Sequence, residues 1–138
     1  MIELIVGAKG KGKTKVLLEK AADAVKVANG NVVYVDKNKQ HMYELSNKIR
    51  LIDITQYPVK GEAGFLGFLS GVIASDHDLE YLILDSFLTI AGIEQDMTET
   101  LKVAQNLAQS AGVTLIVSIS RDAEEIPAEF SEYIKVAL

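Results

Sequence analysis

The sequence predicts an α/β fold in three layers, with helices on both faces of a mainly parallel sheet. Three observations carry that expectation. Short apolar runs such as "IELIV", "LEYLILD" and "VTLIVSIS" are near-continuous rather than alternating, as strands buried on both faces are. Helix-length segments with apolar residues three and four apart separate these runs, the rhythm of βα units in a parallel sheet. The chain has 138 residues, 49% hydrophobic and 24% charged, enough for one domain (1–138) with a real core.

Taken in order, Ile2–Val6 is a buried strand, followed by a glycine-rich loop. Lys13–Val27 carries good helix formers with Val16, Leu17, Ala21, Ala24 and Val25 as an apolar stripe, and Asn29-Gly30 is its stop signal. The β-branched and aromatic Val32–Val35 is the second strand. "DKNKQHMYELSNK" predicts a short polar helix, Ile49–Ile54 a short strand, and Gly61–Ser75 a helix despite its glycines. Tyr81–Asp85 is a buried strand ending in acid, and Glu94–Ser110 a helix with Met97, Leu101, Ala104, Leu107 and Ala108 on one side. Val113–Ser120 is the next strand and "YIKVAL" the last. Right-handed crossovers leave few ways to order such strands.

Bulk properties narrow the function. A net charge of −5 argues against general nucleic-acid binding, which leaves a basic footprint. The chain has no cysteine, which removes thiol chemistry and cysteine-ligated metals. No run is long enough to span a bilayer, and "MIELIVGAKG" has no basic flank before its short apolar run, so a cytoplasmic setting without membrane contact is expected. His41 and His77 are isolated and read as surface residues, and the acidic "DAEEIPAEFSE" as a solvated linker. "SFLTIAGI" is apolar enough to be either core or a partner surface.

Against that acidic background, residues 7–15 hold three glycines and four lysines. Gly7-Ala8-Lys9-Gly10-Lys11-Gly12-Lys13-Thr14 fits G-x-x-x-x-G-K-[ST], and Lys15 continues the segment into the helix. Glycines let such a loop wrap so that backbone N–H groups converge on an anion, and the helix behind adds unpaired donors and the positive end of its dipole. In this pattern Lys13 reaches the β- and γ-phosphates and the Thr14 hydroxyl coordinates Mg²⁺. The four fixed positions co-occur by chance in roughly 0.5% of chains of this length, given average composition. A strand before the pattern and a helix after it make chance a poor explanation.

The other half of such a site is an acid at the carboxyl end of another buried strand. "YLILD" supplies it, with Asp85 as the expected Mg²⁺-side carboxylate.

With these two motifs, the chain resembles P-loop NTPases, and its layout is similar to the RecA-like ATPase core. "VVYVDKN" stands where that family ends its second strand in acid, "DSFLTIAG" resembles the continuation past the metal-side Asp, and "GVTLIVSIS" the strand that follows. The resemblance implies ATP and Mg²⁺ as ligands and a sheet ordered last strand, first strand, Val113–Ser120, Tyr81–Asp85, Val32–Asp36. A GTPase would carry DxxG after Asp85, where Ser86-Phe87-Leu88 stands, and "NKIR" lacks the Asp of a guanine-reading motif. Small-molecule kinases surround the phosphoryl group with arginines, and only Arg50 and Arg121 are present. The likeness to small bacterial proteins labelled as pilus-retraction (twitching-motility) ATPases stops at the nucleotide motifs, without a partner domain or arginine and histidine boxes.

The resemblance also implies a water-orienting glutamate two residues past Asp36, but Asn38 stands there, and Ser86 occupies the corresponding position of other P-loop branches. Asp36 is the remaining candidate base beside Lys13, with Glu44 further off and Ser118 or Ser120 as the γ-phosphate sensor. The expectation is a nucleotide-dependent switch that hydrolyses ATP slowly at most. The alternative is an active ATPase or phosphotransferase completed by a protein partner or a neighbouring subunit, with Arg121 as the residue to supply across a self-assembled nucleotide edge. A third possibility, an interaction module that binds no nucleotide, is disfavoured by the presence of both Lys13 and Thr14.

Overall fold

The computed structural model describes residues 1–138. Six strands form one sheet: β1 (Ile2–Val6), β2 (Asn31–Asp36), β3 (Ile49–Asp53), β4 (Leu79–Leu84), β5 (Thr114–Ile119) and β6 (Ile134–Ala137). Their spatial order is β3-β2-β4-β5-β1-β6, and every adjacent pair is parallel. The expected order of five strands is therefore present, with β3 added as the edge beyond β2.

Helix α1 (Lys13–Val27) covers one face of the sheet. Helices α2 (Gly61–Ala74), α3 (Phe87–Ile90) and α4 (Thr98–Ser110) belong to the opposite face. The period-two pleat sorts each strand between two cores. On β2, Val33 and Val35 enter a cluster of 26 buried residues with Phe65, Leu69, Phe87 and Leu101. Val32 and Tyr34 turn the other way, into a cluster of nine with Leu17, Ala21 and Ile83. Phe65 of α2 meets Phe87 of α3 edge to face, with centroids 5.8 Å apart. The expected apolar segment after Asp85 is core: Phe87, Leu88, Ile90, Ala91 and Ile93 are all buried. No helix is long and apolar enough to cross a membrane.

Two sequence expectations need correction. The polar stretch after β2 does not form a helix; only a 3-10 turn at Met42–Glu44 is present. Asn38 accepts the Gln40 N–H and Ser46 the Lys48 N–H, so local side chains satisfy the backbone, and no apolar stripe exists to dock a helix. Helix α4 starts at Thr98 rather than Glu94, because the Asp96 carboxylate accepts both the N–H and the hydroxyl of Thr98 and closes a turn before it. Elsewhere the expected ends move by two residues or fewer. The acidic stretch near the end is two 3-10 turns, pinned to the core by Ile126 and Phe130.

Candidate nucleotide site at the carboxyl ends of the strands

The loop between β1 and α1 leaves the sheet at Gly7, whose N–H donates to the Arg121 carbonyl at 2.8 Å. Gly10 (φ 86°) and Gly12 (φ 91°) hold left-handed conformations that a side chain would strain, although a Cβ would meet no atom there. Backbone shape, not crowding, demands glycine at these two positions. Helix α1 then opens with no side-chain cap and no acid in its first turn. Instead Lys13 and Lys15 sit at its positive end, against the helix dipole. That arrangement suits an anion at this helix start, where Asp85 is the one carboxylate on the cavity wall.

Lys13 is buried, and its Nζ donates to the Ala8 carbonyl at 3.1 Å, folding the side chain back over the loop. Burial pushes its ammonium below the ordinary lysine range; Asp85 opposes this and Lys37 adds to it.

Asp85 is the hub. It is 3% exposed and its carboxylate accepts three hydroxyls: Thr14 at 3.3 Å and Ser118 at 3.1 Å on Oδ1, and Tyr34 at 2.7 Å on Oδ2. Ser118 in turn accepts the Ser86 N–H at 2.8 Å. Burial, followed by the charge of Asp85, pushes the Tyr34 phenol far above its ordinary range, so it stays a donor. Ser86 is the only non-glycine residue with positive φ, at 59°. A side chain held there costs on the order of 1 kcal/mol and marks a position where the surroundings override local preference.

A cavity of about 490 Å³ opens between the loop and the ends of β2, β4 and β5. Lys9, Gly10, Gly12, Lys13, Thr14 and Asp85 line it, as do Ser86, Ser120 and Arg121. Gly7, Ala8, Lys11 and Lys15 are not on its wall; Gly7 and Ala8 shape the loop beneath, and Lys11 and Lys15 are exposed. Four cations (Lys9, Lys13, Lys37 and Arg121) face a single carboxylate, Asp85. Lys37 was not anticipated from sequence. Tyr34 was not either, although a tyrosine inside a fully buried strand implies a partner for its hydroxyl.

The expected base is placed differently. Asp36 is 3% exposed and its Oδ1 accepts the N–H of Lys37 at 2.7 Å. It does not line the cavity, and neither do Asn38 or Glu44, which pairs with His41 at 2.6 Å. Burial, with Asp85 second, raises the Asp36 carboxyl above its ordinary range. Of the two proposed sensors, Ser120 is on the cavity wall, and Ser118 is fully buried behind Asp85. Arg121 lines its own cavity and donates to the Ser120 carbonyl at 3.0 Å.

No protein-family model matches the sequence, and neither does any curated protein. Solved structures do. The flagellar accessory protein FlaH from Methanocaldococcus jannaschii superposes with a TM-score of 0.59 at 14% identity, covering 93% of this chain and 63% of that one. The KaiC-like protein PH0186 from Pyrococcus horikoshii OT3 gives 0.57 at 16% identity, covering 96% and 66%. The chain thus spans just under two thirds of the length of each. At such identities the likeness concerns architecture alone, and with the all-parallel order above it shows a three-layer α/β/α P-loop fold.

Proposed function

We propose that this chain binds ATP with Mg²⁺ and acts as a nucleotide-dependent switch with slow hydrolysis at most. The observation that carries this is the convergence of Lys13, Thr14 and Asp85 on one cavity at an uncapped helix start. Four cations against one carboxylate give that cavity a charge opposite to a triphosphate, and anions bind where backbone donors and ammonium groups meet. The Thr14 hydroxyl and Asp85 carboxylate are hard oxygen donors 3.3 Å apart. That set fits Mg²⁺, which takes one or two protein oxygens and fills its remaining positions with phosphate and water.

Held by Thr14 and Asp85, Mg²⁺ would supply charge neutralisation for the phosphates. The chain's own residues do the rest: loop N–H groups orient the phosphates, Lys13 carries charge at the β- and γ-positions, and Thr14 and Asp85 hold the metal side. ATP is preferred over GTP because guanine-reading residues are missing. Slow turnover follows from what the cavity wall lacks. Phosphoryl transfer to water needs a side chain that orients the water, and the only carboxylate on the wall is already committed to Thr14, Ser118 and Tyr34. Asp36 is engaged by the Lys37 N–H outside the wall.

Calorimetric titration with Mg·ATP tests the reading, alongside steady-state phosphate release. Saturable binding with turnover far below one per second is expected. Absence of binding, or turnover of several per second from the purified chain, overturns it.

A further inference from the structure

Tyr34 is fully buried in the smaller core, among Leu17, Ile83 and Ile116. Phenylalanine would fill that space as well, without a hydroxyl that costs free energy when buried unpaired. The hydroxyl is spent on Asp85 Oδ2, and at 2.7 Å it is the shortest of the three bonds to that carboxylate. The other two hydroxyls share Oδ1, one of them from Thr14 on the cavity wall. One oxygen of Asp85 is therefore anchored from inside the core while the other meets the phosphate-loop threonine.

We infer that Tyr34 is a positioning residue for the metal-side carboxylate. The inference rests on the ATP and Mg²⁺ reading above and deepens it. The terminal torsion of an aspartate is broad, so a carboxylate at a strand end samples many rotations unless something holds it. Tyr34 reaches across from β2, the strand beside β4, and pins Oδ2, so that Oδ1 is presented beside Thr14 before any metal arrives. A metal meeting a pre-oriented oxygen pays less ordering cost than one meeting a free carboxylate. Tyr34 touches neither nucleotide nor metal; it acts through Asp85.

The test is Tyr34→Phe, which keeps the ring and removes only the hydroxyl. ATP affinity is measured by calorimetry for parent and variant, each in Mg²⁺ and in excess chelator. The gain in affinity that Mg²⁺ brings should shrink about tenfold, the scale of one hydrogen bond to a charged group, while affinity in chelator stays at the parental value. In an Asp85→Asn background, Tyr34→Phe should leave the Mg²⁺-dependent gain unchanged, since the two changes act on one contact. An equal Mg²⁺ gain in parent and Tyr34→Phe overturns the inference and leaves the nucleotide reading standing. Equal losses with Mg²⁺ and chelator also overturn it, because the hydroxyl would then support the site as a whole. A parent that binds ATP in neither condition is the separate result that removes the nucleotide reading and this inference together.

Discussion

Strands β2 and β4 end alike in sequence and differently in space. "VVYVD" and "YLILD" each bring four buried or half-buried residues to a terminal aspartate, and Asp36 and Asp85 are both 3% exposed. Asp85 collects three hydroxyls from three other elements and faces the cavity. Asp36 accepts the N–H of the residue that follows it, and that residue, Lys37, faces the cavity in its place. The strand that would supply a base therefore supplies a cation. A buried acid at a strand end acquires chemistry from what the neighbouring strands aim at it, not from its own run of apolar residues.

The largest effect should fall on the Asp85 side of this contrast. Lys13→Ala removes the ammonium that shares the cavity with Asp85, and Mg·ATP affinity should fall by about 2–4 kcal/mol, the scale of a lost charged contact. Calorimetry giving equal affinities for variant and parent would falsify the phosphate-loop assignment.

Turnover separates the two strand ends next. Ser86 lies on the cavity wall directly after Asp85, whereas Asn38, two residues past Asp36, turns its side-chain oxygen to the Gln40 N–H. Ser86→Glu should raise phosphate release by about 10², the lower range of general-base catalysis. Asn38→Glu, the change the family resemblance suggests, should leave it near the parental rate. The reverse ranking in a steady-state assay would put the attacking water on the β2 side.

Metal dependence comes third. Asp85→Ala should weaken ATP binding about tenfold or more in Mg²⁺ and little in excess chelator. Asp36→Ala should weaken it equally little in both. Matching behaviour of the two variants would erase the distinction between the strand ends.

The smallest effect is on stability, and its sign follows from burial. The Asp36 carboxyl is raised above its ordinary 3.8, so between that value and its folded-state pKa the native state holds more protons than the unfolded state. Asp36 therefore costs stability progressively as pH rises through this window, and nothing below it. Asp36→Asn keeps an oxygen for the Lys37 N–H and removes the charge. Its melting temperature should exceed the parent's at pH 7 and converge with it near pH 3. A lower melting temperature at pH 7, with the deficit vanishing on acidification, would mean instead that the Asp36 charge is stabilising.

The sequence by itself determined the layers and the glycine-lysine loop between β1 and α1, because both depend on local patterns. Continuous apolar runs need cover on both faces, and Gly10, Gly12, Lys13 and Thr14 are adjacent in the chain, so their spacing is their geometry. The helix at Lys13–Val27 and the buried strand ending at Asp85 were legible for the same reason. Where local side chains compete for the backbone, as Asn38 and Asp96 do, pattern alone overextended the helices. Only the tertiary structure decided which acid faces the cavity, because Thr14, Tyr34 and Ser118 reach Asp85 across 71, 51 and 33 residues of chain. It also decided that Lys37 rather than Asp36 lines the wall. A hydrogen bond requires atoms within about 3 Å and aligned, and strand order and register, not sequence spacing, bring these atoms together.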